Sequence, residues 1–248
     1  MSQKSYDLIA KAYSKTDFSL TKKYVAGPTI VKLLGNTSGK RIIDVGCGSG
    51  YSTRLVRLTG SSDVVGIDLS SQQILIAQDV EKKQPLGITY HQSDVSNDSF
   101  LHFRDFDIAT ALYLLHYAST RDNLYVICKN IYHSLCPNGR FIAINSNPDN
   151  PLLENEKYGI TAKMLLSSVE GAARTVTYLD EDQQLCTFET YFWRKETYEA
   201  ALTTAGFQDI EWHKSHVSEE GIQRFGKRFW DELLENPFIC GLTGKKPL

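Results

Sequence analysis

Three glycines at positions 46, 48 and 50 follow the run Arg41-Ile-Ile-Asp-Val45, and a second apolar run, Val64-Val-Gly-Ile67, ends on Asp68. A short β-branched stretch that breaks into glycine reads as a buried strand feeding a tight loop, where a ligand can lie against bare backbone. An acid leaving the neighbouring strand beside that loop can accept both hydroxyls of a ribose. Dinucleotide sites use Gly-x-Gly-x-x-Gly. Here the third glycine comes one residue early and Tyr51 stands where the late one would be, which disfavours a nicotinamide oxidoreductase.

The elements that must position this loop alternate from Arg41 onward, as in a parallel sheet covered on both faces. Tyr51 to Leu58 reads as a helix, and Ser70 and Ser71 can cap another carrying Ile74, Leu75 and Val80 up to Pro85. Ile88 to Gln92 and Phe106 to Ala111 read as strands. Leu124, Ile127, Ile131 and Leu135 share a helix face, and Cys136-Pro-Asn-Gly139 is expected to break that helix before a strand from Arg140 to Asn145. Tyr198, Ala201, Leu202 and Ala205 mark a helix closed by Gly206, followed by a strand from Phe207 to His213. Ile222, Phe225, Phe229 and Leu233 form one apolar stripe before a last strand, Phe238 to Thr243. Two regions stand outside the alternation. Tyr6, Ile9, Ala10 and Tyr13 give residues 1–40 an amphipathic helix, and within Ser146 to Trp193 the runs Thr175–Leu179 and Leu185–Phe192 flank a polar turn as a β-hairpin.

With 248 residues, 42% hydrophobic and 23% charged, the chain is long enough for one large domain. A net charge of −2 offers no attraction to nucleic acid or an anionic membrane. Nothing approaches a membrane span or a signal core, so a cytoplasmic protein is expected. Five scattered cysteines read as free thiols, and no metal site is expected.

The early glycine spacing, with Asp44 two residues before Gly46, resembles motif I of the class I S-adenosylmethionine-dependent methyltransferases. Leu135-x-Pro137-x-Gly139-Arg140 resembles the turn before the fifth strand of these enzymes, and Ala205-Gly206-Phe207 their approach to the sixth. The likeness covers about Lys40 to Asn145 well and Thr197 to Pro247 more loosely. It implies an α/β, Rossmann-like sheet of seven strands in the order 3-2-1-4-5-7-6 with the seventh antiparallel, and helices on both faces. The Tyr6-Asp-Leu-Ile-Ala-Lys-Ala-Tyr13 segment resembles the N-terminal part that closes over the cofactor in small-molecule methyltransferases. With the mid-chain insertion and the Thr243-Gly-Lys-Lys-Pro247 ending, it is similar to the toxoflavin-type natural-product enzymes. One domain, 1–248, is expected, with a helical lid in 1–40 and a substrate lid in 146–193.

By this resemblance S-adenosyl-L-methionine is the cofactor. Gly46, Cys47, Gly48 and Gly50 would pass its methionine part, oriented by Asp44. Asp68 would take the ribose, Leu69 the adenine face, and Asp94 with the Val95 amide the adenine edge, while the backbone at Ala111 would meet the amino end. Methyl transfer from a sulfonium is an in-line displacement that asks chiefly for alignment and a dry pocket. His116 is a candidate general base, since a neutral imidazole can take a proton from an amine or hydroxyl; at this position it can equally hold local structure. Tyr13 and Tyr113 are pocket phenols, and Glu189 could bind a substrate amine. Tyr178, Phe188, Tyr191 and Trp193 could clasp a flat substrate or simply pack the hairpin. A small organic acceptor methylated at nitrogen or oxygen is the expected partner, with the protein a monomer or homodimer. Alternatives are transfer to a protein or peptide terminus, or a nonenzymatic S-adenosylmethionine-binding protein. Nucleic acid is not expected, because Thr110-Ala-Leu-Tyr113 replaces the Asn/Asp-Pro-Pro-Tyr type of motif after the fourth strand.

Overall fold

Strands buried on both faces read as near-continuous β-branched runs, and β1 (Arg41–Val45) shows why: four of its five residues are buried, with Ile42 turned to one core and Ile43 and Val45 to another. Each such aliphatic side chain contributes about 1.5–3 kcal/mol on burial. A computed structural model describes residues 3–151, 156–164, 169–180 and 183–248. Before β1 come α1 (Gln3–Lys15) and α2 (Gly27–Leu34), joined by a π-helical turn at Lys22–Ala26. After it follow α3 (Tyr51–Leu58), β2 (Asp63–Asp68), α4 (Ser71–Lys83), β3 (Thr89–Gln92), β4 (Phe106–Leu112), α5 (Arg121–Ser134) and β5 (Leu135–Ser146). Then come β6 (Ile160–Met164), β7 (Ala173–Asp180), β8 (Gln183–Tyr191), α6 (Lys195–Ala205), β9 (Gln208–Lys214), α7 (Glu219–Phe225), α8 (Lys227–Glu235) and β10 (Ile239–Lys245).

The main sheet runs β3-β2-β1-β4-β5-β10-β9. Pairs from β3 to β5 are parallel, and β10 is antiparallel to both neighbours. This is the expected order, β9 and β10 being its sixth and seventh strands. One face carries Ile30, Leu34, Val56, Ile74 and Ala77 from α2, α3 and α4; the other carries Leu124, Ile127, Ile131 and Leu202 from α5 and α6. Strand order reverses between β1 and β4, so the C-terminal ends of these strands diverge into a crevice.

Three elements depart from the sequence expectation. Cys136-Pro-Asn-Gly139 does not separate helix from strand: β5 already pairs at Leu135 with Phe106, and its register jumps before Ile108 meets Arg140. The turn residues are absorbed as an irregularity, with Asn138 at φ +62°. The stripe from Ile222 to Leu233 is split at Gly226, φ +79°, into α7 and α8. The hairpin forms as β7 and β8, but β6 adds a third antiparallel strand to it. The turn at 181–182, residues 152–155 and 165–168 of the insertion and the Tyr6 side chain lie outside the described residues.

Candidate active site

The glycine loop is held from below. Asp44 is fully buried, and its carboxylate accepts hydrogen bonds from Ser52 Oγ, Thr53 Oγ1 and Thr110 Oγ1, each at 2.7 Å. Burial pushes this carboxyl above its ordinary range, and the three hydroxyls oppose that shift. The acid ties β1 and β4 to the first turn of α3, so it orients the loop without forming part of the cavity wall. Above it, the Gly46 and Cys47 amides both donate to Ile67 O, at 2.8 and 2.9 Å. Gly48, at φ +54°, has only Gln73 Oε1 within 4 Å of where a Cβ would stand, so its bare face is free for a ligand. Gly50 is glycine for packing, since a Cβ would stand 2.6 Å from Tyr90 Oη.

A cavity of about 450 Å³ opens against this loop, walled by Gly46, Gly48, Asp68, Leu69, Gln73, Ser93, Asp94, Val95 and Ser96. Asp68 accepts the Gly48 amide on Oδ2 and the Ser70 amide on Oδ1, both at 2.8 Å. Burial outweighs those bonds and pushes its carboxyl up to about 6. Asp94 is oriented by the Ser96 amide and hydroxyl, which donate to its Oδ1 at 2.8 and 2.7 Å. Among the described residues, Gln73 Oε1, Ser93 Oγ and Tyr113 Oη are buried polar atoms without a partner, and all three belong to the wall. Unpaired groups of this kind cost free energy unless a ligand satisfies them. With an acid at a strand end and the apolar Leu69, Val95 and Ile127, the wall suits a nucleoside carrying a polar tail, and S-adenosylmethionine is such a ligand.

Its other end is aromatic. Ile9 and Tyr13 come from α1, and Leu112, Tyr113, Leu114 and Tyr117 from the end of β4 and the turn after it. Tyr113 sits at φ +62°, with its amide bonded to Ile144 O at 2.8 Å; a bulky residue in that region is strained by about 1–3 kcal/mol. Helix α1 is pinned across the site by Asp7, whose Oδ1 accepts Ser70 Oγ at 2.5 Å and the Gln72 amide at 3.2 Å at the start of α4.

Several expected residues lie elsewhere. Ala111 faces the α5 side of the sheet, fully buried, and the wall begins one residue later. Cys47 is buried behind the loop. His116 is buried between Tyr113 and Tyr117, 5.9 and 4.9 Å between ring centroids, and is not part of the wall. Burial, then nearby Arg174, pushes its imidazole well below the usual range. On the hairpin, Glu189 is exposed and accepts the Tyr191 hydroxyl at 2.8 Å. Trp193 Nε1 donates to Ala118 O at 2.8 Å. Tyr178 is buried and stacks on Phe188, which meets Tyr13 edge-on at 5.4 Å. Of the pocket phenols and hairpin residues expected to meet the acceptor, Tyr13 and Tyr113 stand in the wall and the hairpin residues do not.

Other contributors were not singled out from sequence. Gln73 and Ile127 sit in helix stripes that read as core; the polar Gln73 beside Ile74 and Ala77 was the available signal. A second recess, about 20 Å³, adjoins the loop and is lined by Tyr13, Asp17, Lys22, Gly46, Cys47, Gly48, Ser49, Tyr51, Ser52, Leu112 and Tyr113. Asp17 accepts the Ser49 hydroxyl on one oxygen and Lys22 Nζ, at 3.0 Å, on the other. Among the described residues no group of His, Cys, Asp and Glu is placed to hold a metal ion, and no helix is long and apolar enough to cross a membrane.

Residues 43–143 match the family described as "Methyltransferase domain". The chain is 26% identical over 174 residues to N-demethylindolmycin N-methyltransferase of Streptomyces griseus, covering 68% of this chain and 70% of that one. It is 28% identical over 115 residues to a ubiquinone biosynthesis O-methyltransferase of Pseudomonas syringae, a match that spans only 46% of this chain and 48% of the relative. In structure it resembles an S-adenosylmethionine-dependent methyltransferase from Mesorhizobium loti, with a TM-score of 0.64, 21% identity and 93% and 99% of the two chains covered. Residues 43–143 thus resemble a methyltransferase domain, and the chain shares the Rossmann-like fold of S-adenosylmethionine-dependent methyltransferase structures.

Proposed function

We propose that the protein transfers the methyl group of S-adenosylmethionine to a nitrogen or oxygen of a small organic acceptor. One observation carries the reading: the cavity joins a polar end, at Asp68, Gly48 and Asp94, to an aromatic end, at Tyr13, Tyr113 and Tyr117. The relatives named above for nitrogen and oxygen methylation of small molecules support it. The cofactor supplies an already activated methyl group, which leaves the protein chiefly to align and desolvate the two reactants.

In this reading Asp68 holds the ribose, Leu69 and Val95 sandwich the adenine, and Asp94 meets its edge. Tyr13 and Tyr113 flank the reacting centre. Burial raises both phenols above their ordinary range, so they act as neutral hydrogen-bond donors or acceptors and not as phenolates. His116, off the wall and held neutral, serves packing under Tyr113. Helix α1 and the β6–β8 sheet are the parts that would open for the acceptor, the lid of the single domain.

The test is purified protein with methyl-labelled S-adenosylmethionine and a panel of small amines and phenols, alongside unfolded-protein and peptide acceptors. Label in small molecules is the expected result. Label in peptide termini alone points to the protein-modifying alternative. Tight S-adenosylhomocysteine binding without transfer to any acceptor points to a binding protein that does not turn over.

A further inference from the structure

The inner face of the β6–β8 sheet carries a single charge. Arg174 alternates along β7 with Val176 and Tyr178, and the neighbouring strands set Ala162 and Phe188 opposite Val176. These four neighbours are buried in the core shared with the main sheet, so period-two alternation turns Arg174 the same way; it is only 4% exposed. Burying a guanidinium costs several kcal/mol unless it is well paired, and an arginine cannot shed its proton to escape that cost. Its nitrogens donate to Thr190 Oγ1 at 3.0 Å, Pro151 O at 3.2 Å and Ser146 Oγ at 2.5 Å. Three of its five N–H donors are thereby used, all on neutral acceptors. Among the described residues no carboxylate forms an ion pair with it.

Nor does the aromatic end of the cavity supply a balancing charge. The acids of the wall, Asp68 and Asp94, belong to the polar end, and Asp17 in the recess is taken up by Lys22 at 3.0 Å. Burial is what chiefly depresses the Arg174 pKa; the groups that oppose the shift are Tyr198, Tyr117, Tyr178 and Tyr113, and of these Tyr117 and Tyr113 are wall residues. Polar groups are left over in the same place. Among the described residues the Tyr113 hydroxyl, His116 Nδ1 and both amide atoms of Asn145 are buried without a partner. Asn145 precedes the Ser146 that Arg174 holds, and the Tyr113 amide bonds to Ile144 O just before it. An unbalanced cation behind an unpaired wall hydroxyl suits a guest that brings a negative charge.

Resting on the methyl-transfer reading above, we infer that the acceptor is a small aromatic compound bearing a carboxylate, and that Arg174 is the residue that selects for it. Tyr113 donates to the carboxylate from the wall. Arg174, outside the wall, supplies the charge that favours an acid over its neutral analogue, and it is carried on the sheet that closes over the acceptor.

Calorimetry on protein saturated with S-adenosylhomocysteine tests this with benzoate, anthranilate, 4-hydroxybenzoate and indole-3-acetate, each set against its carboxamide. In wild type at least one acid should bind about tenfold more tightly than its amide. In Arg174→Met that preference should vanish, and in Arg174→Lys most of it should return, with S-adenosylhomocysteine affinity within about twofold of wild type in both. Equal binding of acids and amides, no binding of any acid, or a preference that survives in Arg174→Met would overturn the inference. Should Arg174→Met not fold, the wild-type comparison decides: a tenfold preference for an acid supports the role and equal affinity rejects it. Failure of wild type to bind S-adenosylhomocysteine would reject the cofactor reading instead, and the acid and amide comparison, repeated without it, still decides on Arg174.

Discussion

The two ends of the cavity are built by different means. At the polar end, β1 and β2 terminate side by side, and the loop between β1 and α3 is fixed by hydrogen bonds internal to the sheet: Ile67 O to two loop amides, and Asp44 to three hydroxyls. At the aromatic end the wall is built from α1 and from the end of β4 with the turn after it, and these parts meet the hairpin through rings, as Tyr13 and Tyr117 do with Phe188. A network of directional bonds fixes one ligand shape, whereas a wall of packed side chains can change its contour by substitution without unmaking the fold. The polar end thus suits a constant cofactor, and the aromatic end an acceptor that differs between relatives.

If that contrast holds, damage at the polar end should weaken cofactor binding or its scaffold, and damage at the aromatic end should leave cofactor binding intact. The largest effect is expected for Asp44→Ala, which leaves Ser52, Thr53 and Thr110 without their acceptor. Stability in urea should fall by about 2–4 kcal/mol, and a full Tm recovery with saturating S-adenosylhomocysteine would contradict a scaffold role for this acid.

Asp68→Asn comes next, with S-adenosylhomocysteine affinity reduced at least about tenfold at pH 7.5. Because burial raises this carboxyl from 3.8 to about 6, the folded apoprotein holds the proton more tightly than the unfolded chain. The stability Asp68 contributes is therefore full below pH 3.8 and is lost as pH rises through about 6. The ligand-free Asn variant should gain Tm relative to wild type across that window, while wild-type ligand affinity rises with pH through about 6 and then levels. A Tm difference independent of pH would show that the group is not desolvated.

On the aromatic side, Phe188→Ala should raise the acceptor KM several-fold, about 1 kcal/mol of lost ring contact, and leave S-adenosylhomocysteine affinity within about twofold. Weakened cofactor binding would mean that the two ends are not separable. The smallest change is expected for His116→Asn, with turnover within about threefold and no limb near pH 6.5 in wild-type kcat at saturating S-adenosylmethionine, since burial keeps the ring neutral. A large rate loss at constant Tm would restore His116 as the base.

The polar end was legible in the sequence because backbone constraint demands residue types at fixed spacing: glycines where φ is positive or a Tyr90 hydroxyl intrudes, acids where strands end. Strand order followed from the same alternation. At the aromatic end Tyr13 and Tyr113 were legible as pocket phenols, but Tyr117, like Ile127 near the other end, is brought to the cavity only by tertiary packing and alone reads as core. The hairpin aromatics illustrate the ambiguity. Tyr178 and Trp193 share the residue types of a substrate clasp, yet they spend their rings and N–H on the interior. Turn signals also misled where neighbouring strands overruled them. Pairing with β4 at Leu135 and Arg140, on either side, carried β5 past Cys136-Pro-Asn-Gly139, although no local propensity favours a strand there.

Tyr113 sets stability against activity at one position. Its backbone adopts a conformation that glycine enters freely and a ring does not, so Tyr113→Gly would relieve the torsion while discarding the phenol. Selection for thermal resistance alone should drift toward glycine at this residue, and selection for turnover should hold the tyrosine. A library sorted separately for the two traits would therefore diverge here, and the divergence would report how much of the protein's marginal stability is committed to its chemistry.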